Sequence, residues 1–230
     1  MKPYYEQDGI TIFHGDCAEV LPSIDPASVG LVLADPPYGL GNNGDSQRFR
    51  RKVGEWWGEQ DRSTVARWPA VHGDDKPFDP APILRFPRIV LWGGNHYASR
   101  LPDSGGWLVW DKRKGIEDVK WPMSDAELAW TNVCGGVRTF RHRWFGLIRE
   151  SEKGFHVHPT QKPVALMAWV LAQFTKPGDL ILDPYCGSGP VVEAAKAAGC
   201  RCVAIAYVEA YCEVTARRLQ QGVLPLGERA

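Results

Sequence analysis

The chain lacks a long apolar run, a net charge and a paired-cysteine framework, and each absence removes a class of protein. No stretch approaches the ~20 consecutive apolar residues that a bilayer-spanning helix needs, so no membrane span is expected. The start, Met1-Lys2-Pro3-Tyr4-Tyr5-Glu6, lacks the apolar centre of a secretory leader. The six cysteines show no paired metal spacing. Cys17, Cys186, Cys200 and Cys202 fall beside expected strands or in a glycine-rich turn, and read as reduced, mostly buried thiols of a cytoplasmic protein. His156-Val157-His158 has no Cys or carboxylate cluster beside it, so no metal site is expected. Lys+Arg and Asp+Glu are 27 each, giving a net charge of +0, so any attraction for a polyanion must be local. No internal repeat or low-complexity segment is present. What remains is ordinary for a folded globule, and 230 residues suffice for one large α/β domain.

Three motifs stand out. Asp35-Pro36-Pro37-Tyr38 directly follows the apolar run Val29 to Ala34. The run reads as a buried strand, and the two prolines stop it from continuing as strand or helix. An acid and an aromatic ring are thus presented on a rigid turn at a strand's carboxyl end, the edge at which open α/β sheets bind ligands. A ring beside a carboxylate suits a flat heterocycle carrying an exocyclic amine. Downstream, Leu180-Ile181-Leu182-Asp183-Pro184-Tyr185-Cys186-Gly187-Ser188-Gly189 precedes a helical stretch, giving strand, glycine-rich turn and helix. It has neither a Walker lysine nor the third glycine of the dinucleotide fingerprint. Between them, His158-Pro159-Thr160-Gln161-Lys162-Pro163 precedes an apolar helix, with Thr160 suited to the N-cap and Pro163 to the first turn.

The remaining elements alternate. Strands are expected at Ile10 to His14, Val29 to Ala34, Arg88 to Gly93, Trp107 to Asp111, Glu127 to Thr131, Leu180 to Asp183 and Arg201 to Tyr207, with Val137 to Trp144 ending the first half of the chain. Helices are expected from Asp16 toward Leu21, at Asn95 to Arg100, Val164 to Phe174, Val191 to Ala198 and Glu209 to Gln221. Alternation with long crossovers implies a mostly parallel sheet. Residues 40–82 show poor periodicity and are too long for an inert connection, so they read as a substrate-facing insert. Some helix is expected there around Ser63 to Trp68, with Trp56, Trp57 and Trp68 as a private mini-core. Basic residues cluster at Arg48, Arg50, Arg51 and Lys52, at Lys112 to Lys114, and at Arg138, Arg141 and Arg143. Together they suit phosphates lining a cleft.

The three motifs, in this order, resemble the permuted (β-class) DNA amino-methyltransferases. The similarity runs from His14-Gly15-Asp16-Cys17 to Tyr211-Cys212-Glu213, and the segments Leu91 to Tyr97 and Trp107 to Lys112 are similar to short phage or prophage members. The resemblance implies a Rossmann-like methyltransferase fold of seven strands, one antiparallel, forming a single domain over 1–230 with helices on both faces. It implies methyl transfer from S-adenosylmethionine to adenine N6 in double-stranded DNA, adenine being favoured over cytosine N4 by an acid at position 35. A second copy of the chain and a cognate restriction nuclease are its implied company.

Asp35, Pro36, Pro37 and Tyr38 are then the catalytic turn. The acid and the Pro36 carbonyl accept both amine hydrogens, and Tyr38 stacks on a base flipped from the duplex. The implied cofactor set is Asp16 and Cys17 at the adenine, Thr160, Gln161 and Lys162 at the amino-acid end, Gly187 and Gly189 in the turn, and Asp35, Asp183 and Tyr185 flanking it. The expected DNA contacts are Arg48, Arg50, Arg51, Lys52, Lys112, Arg113, Arg141 and Arg143. One position departs from the pattern. Where the family places an acid on the ribose hydroxyls, this chain has Ala206 followed by Tyr207, with Glu209 as a substitute from the next helix. Losing that contact costs about 1.5–3 kcal/mol. Weakened cofactor binding, a modified cofactor and a non-catalytic DNA-binding relative are therefore kept as alternatives. Methylation of RNA or of a protein amide is a further one, disfavoured by the basic insert.

Overall fold

The computed structural model describes residues 2–41, 71–116, 124–145, 148–152 and 161–220. Along the chain come β1 (Tyr5–Gln7), β2 (Ile10–His14), α1 (Cys17–Val20), β3 (Leu31–Ala34), α2 (Ala81–Leu84), β4 (Ile89–Trp92), β5 (Gly106–Asp111), β6 (Ala126–Thr131) and β7 (Val137–Arg141). They are followed by β8 (Trp144–Phe145), β9 (Ile148–Arg149), α3 (Val164–Phe174), β10 (Leu180–Asp183), α4 (Pro190–Ala197), β11 (Arg201–Ala206) and α5 (Glu209–Gln220). The main sheet has nine strands in the order β1-β2-β11-β10-β3-β4-β6-β5-β7, and β8 and β9 form a separate ribbon. The expected count of seven is therefore corrected. One added strand, β1, turns back on β2 through Asp8 and Gly9, both at positive φ. Its three residues are too polar to show an apolar period, although Asp-Gly is a hairpin signal.

The chain divides into two compact units. The first comprises Met1–Ala34, Pro82–Ile89 and Gln161–Ala230. In it β2, β11, β10 and β3 run parallel and only β1 is reversed. β3 is buried along its whole length, which is why Leu31-Val32-Leu33-Ala34 is uniformly apolar rather than alternating. α3 buries Leu166, Met167, Val170 and Leu171 along one stripe and packs on α4. Each such side chain contributes about 1.5–3 kcal/mol relative to exposure. Four parallel strands bring their carboxyl ends to one edge, and the turns after β2, β10 and β11 carry Asp16, Tyr185 and Tyr207 there.

The second unit comprises Asp35–Ala81 and Val90–Thr160. Here β6 runs antiparallel to both β4 and β5, and β7 runs parallel to β5. β5 alternates buried and half-buried residues, as a strand with one covered face must. β7 is mostly exposed and carries Arg138 and Arg141, charges that discourage edge pairing. The helix expected at Asn95 to Arg100 resolves into two 3-10 turns, Gly94–His96 and Ala98–Arg100. Most of the 40–82 insert, including the tryptophans and the helix expected at Ser63 to Trp68, lies outside the described residues.

Candidate active site

In the first unit, Asp16 caps α1, its Oδ1 accepting from Ala18 N at 2.8 Å. Cys17 next to it is held by a side-chain hydrogen bond with Tyr185, so the turns after β2 and β10 meet. Burial pushes the Cys17 thiol up, which keeps it protonated and unreactive. Asp183 is buried, and its Oδ1 accepts from Tyr185 N at 3.1 Å. Burial, reinforced by the Asp183 carboxylate, also raises the Cys186 and Cys202 thiols.

The glycine turn is fixed from two sides. Cys186 N donates to Ile205 O at 2.9 Å, and Gly189 N donates to Cys186 O at 2.9 Å. Gly189 has φ +85, and a Cβ there would lie 2.5 Å from Thr215 Cγ2, so this glycine lets α5 approach the backbone. Arg218 of α5 donates to Ser188 O at 2.7 Å and pairs with Glu193 in the first turn of α4.

These residues fit the amino-acid end of S-adenosylmethionine. Gln161 and Lys162 are buried polar donors ahead of α3. The Ser188 hydroxyl is buried without a hydrogen-bond partner among the described residues. An ammonium, an amide and a hydroxyl suit an α-carboxylate and its amine. The residues expected at the ribose depart from the family pattern. Ala206 is buried, its carbonyl accepts from Gly15 N at 3.1 Å, and Tyr207 is exposed. Glu209 lies at the start of α5, and its charge adds to burial in raising the Tyr4 hydroxyl and the Cys212 thiol. Thr160 lies outside the described residues.

In the second unit, Asp35, Pro37 and Tyr38 are half-buried and Pro36 is buried. The Tyr38 hydroxyl donates to Asp35 Oδ1 at 2.5 Å. Burial first, and then the Asp35 carboxylate, holds the Tyr38 hydroxyl well above its ordinary range, so it remains a proton donor. Its ring stacks on His96 with centroids 4.9 Å apart and planes 16° from parallel. Beneath it, Gly93 has φ +72, and a Cβ there would lie 2.1 Å from Tyr38 Cε1. Tyr97 donates to Trp92 O at 2.6 Å and meets Phe78 edge-on at 4.8 Å. Gly93 and His96 belong to the segment Leu91 to Tyr97, whose sequence carries a family resemblance but no local sign of this contact. Asp74, whose carboxylate accepts from Gly39 N and Leu40 N, sits in a Gly-Asp-Asp stretch with no apolar period and carries no sequence signal.

The expected DNA contacts divide. Arg48, Arg50, Arg51 and Lys52 lie outside the described residues. Lys112 is not a solvent-facing cation: it is buried, pairs with Glu127 at 3.1 Å and lies 5.8 Å over Trp110. Arg113 pairs with Asp125 at 3.0 Å and Arg141 with Asp111 at 2.9 Å. Arg143 is half-buried, and its backbone N donates to Glu150 Oε2 at 3.2 Å.

Residues 110–217 match the N6/N4 methyltransferase family, described as DNA methylase. The type II methyltransferase M2.LlaDCHI of Lactococcus lactis subsp. cremoris is 26% identical, over 96% of this chain and 93% of that protein. Among solved structures, the PvuII DNA methyltransferase (cytosine-N4-specific) superposes with a TM-score of 0.59 at 16% identity, covering 99% of this chain and 91% of that one. The Thermus thermophilus protein TTHA0409, complexed with S-adenosyl-L-methionine, gives 0.54 at 18% identity, covering 94% and 95%. Both structures share the fold. Over residues 110–217 the chain is thus similar to the N6/N4 DNA methylases, and over nearly its whole length it is similar to a type II methyltransferase.

Proposed function

We propose that the protein transfers a methyl group to the N6 amine of an adenine flipped out of double-stranded DNA, with S-adenosylmethionine as donor. The observation that carries this reading is the Asp35 carboxylate one residue beyond β3, whose Oδ1 holds the Tyr38 hydroxyl proton at 2.5 Å. An oxygen that accepts from a hydroxyl accepts equally from an amine N–H. An aromatic exocyclic amine is a poor nucleophile because its lone pair is delocalised into the ring. Asp35 and the Pro36 carbonyl accept hydrogen bonds from both amine N–H groups, draw the nitrogen toward tetrahedral geometry and free that lone pair; one of the two protons is lost after the methyl group has moved from sulfur to nitrogen. The carboxylate then stabilises the positive charge that develops on nitrogen. The donor supplies a methyl group activated on a sulfonium. Lys162, Gln161 and Thr160 hold its amino-acid end, Asp16 and Cys17 line its adenine, and Asp183 and Tyr185 flank the glycine turn. Tyr38 offers the aromatic surface that an extruded base needs.

An acid rather than a serine at position 35 supports adenine over cytosine. The setting extends to a cytoplasmic enzyme beside a cognate nuclease, with residues 40–82 facing DNA. The test is mass analysis of nucleosides from DNA incubated with protein and S-adenosylmethionine. N6-methyldeoxyadenosine is expected, and N4-methyldeoxycytidine in its place would overturn the base assignment. Asp35→Ala is expected to abolish transfer and to leave the calorimetric affinity for S-adenosylmethionine nearly intact. Buried Ala206 at the ribose position favours a second reading, a DNA-binding relative without activity. DNA binding without any calorimetric uptake of S-adenosylmethionine would favour that reading.

A further inference from the structure

Asp74 lies 35 residues beyond Gly39 in sequence, yet its buried carboxylate holds the segment that leaves the Asp35–Tyr38 turn. Its Oδ1 accepts from Gly39 N at 2.8 Å and from Leu40 N at 3.2 Å, and its backbone carbonyl accepts from Gly41 N at 2.8 Å. Three successive amides thus converge on one residue. The two chain segments also meet at backbone distance. Gly39 has φ +76, and a Cβ on it would lie 2.7 Å from Lys76 O, while a Cβ on Gly73 would lie 3.4 Å from Pro37 Cγ. A buried carboxylate is costly unless donors compensate it, and charge-assisted bonds from N–H groups are the strong kind.

We infer that Asp74 is a positioning residue for methyl transfer: it anchors Gly39 to Gly41 and thereby fixes the Tyr38 ring and the Asp35 oxygen that it bonds. The inference rests on the function proposed for Asp35. The carboxylate touches no reacting atom and acts only through the turn. A turn released at Gly39 lets Tyr38 and Asp35 shift together, and misplacement by about 1 Å costs roughly a hundredfold in rate. The amino-acid and adenine ends of the cofactor fall to other residues, Lys162 and Asp16 among them, so cofactor affinity is expected to change little.

The experiment compares wild type, Asp74→Ala, Asp74→Asn and Asp35→Ala for kcat, KM for DNA, calorimetric affinity for S-adenosylmethionine and melting temperature. Asp74→Ala leaves two amides without their acceptor and is expected to lower kcat roughly a hundredfold, with KM and cofactor affinity unchanged. Asp74→Asn keeps a neutral acceptor in the same place and should recover most of that loss, remaining about fivefold below wild type because charge-assisted bonds are about twice as strong. If kcat of Asp74→Ala equals wild type, or if its kcat and cofactor affinity fall together, the inference is overturned. Should Asp74→Ala fail to fold, Asp74→Asn decides: a selective loss of kcat supports the role, and wild-type kcat overturns it. Asp35→Ala separates the two levels. Activity retained in that variant defeats the reading of the turn itself, whereas an inactive Asp35→Ala beside a fully active Asp74→Ala defeats only Asp74.

Discussion

A single missing methyl group decides the seat of Tyr38. Gly93 combines a left-handed φ of +72 with a ring lying where its Cβ would stand. Gly93→Ala therefore meets backbone strain and steric exclusion together, and strain alone costs of order 1–3 kcal/mol. The expected outcome is a lower melting temperature and a fall in kcat, because the displaced ring takes the Asp35 contact with it. An unchanged kcat would show that the ring tolerates the shift. At the position where the resemblance implies a ribose-binding acid, this chain has the buried Ala206. Ala206→Glu should tighten S-adenosylmethionine binding by roughly tenfold, read by calorimetry, since a carboxylate there accepts from both hydroxyls. Unchanged or weaker binding would mean that the pocket has adapted, with Tyr207 the contact to test next.

Between elements, α5 reaches over the glycine turn. Arg218 ties Ser188 O to Glu193, and Thr215 fills the space that Gly189 leaves open. The Arg218 side chain is almost wholly buried, so Arg218→Ala strands the half-buried Glu193 carboxylate and the Ser188 carbonyl at a cost of roughly 1–3 kcal/mol. Both the denaturation midpoint and the affinity for S-adenosylmethionine are expected to fall; loss of stability alone would separate the clamp from the cofactor. His142, just after β7, gives an acid-sensitive joint. Its ring is buried, Nε2 lies 2.9 Å from Ser151 Oγ and Nδ1 lies 3.7 Å from Glu150. Burial lowers its pKa from 6.5, outweighing the opposing pull of Glu150. The folded state thus binds fewer protons than the unfolded one, so this contribution to stability is present above pH 6.5 and is lost as pH falls below it. His142→Gln should flatten the pH dependence of denaturation in that window; an identical slope would exclude His142 as its source.

On the scale of the whole molecule, a net charge of +0 means that DNA affinity depends on which cations stay unneutralised. Asp111 lies 2.9 Å from Arg141, and Glu127 lies 3.1 Å from Lys112. Arg141→Ala is therefore expected to change the salt dependence of DNA binding by less than about one unit of slope, whereas Arg50→Ala with Arg51→Ala lowers it by about two. Equal slopes for all variants in a salt titration would remove these residues from the DNA contact.

Local chemistry was readable from the sequence alone. The bounds of α3 and β10, and the order of the three motifs, follow from uniform apolar runs ended by Pro, Thr or Gly, because such signals act within a few residues. β1 escaped that reading because three polar edge residues bury too little to leave a period. Tertiary structure alone decided the rest. Asp74 finds Gly39 across 35 residues, His96 finds Tyr38, and Asp111 takes up the charge of Arg141. Each of these pairs joins segments distant in the chain, and a carboxylate or a ring carries no local mark of the partner it will meet.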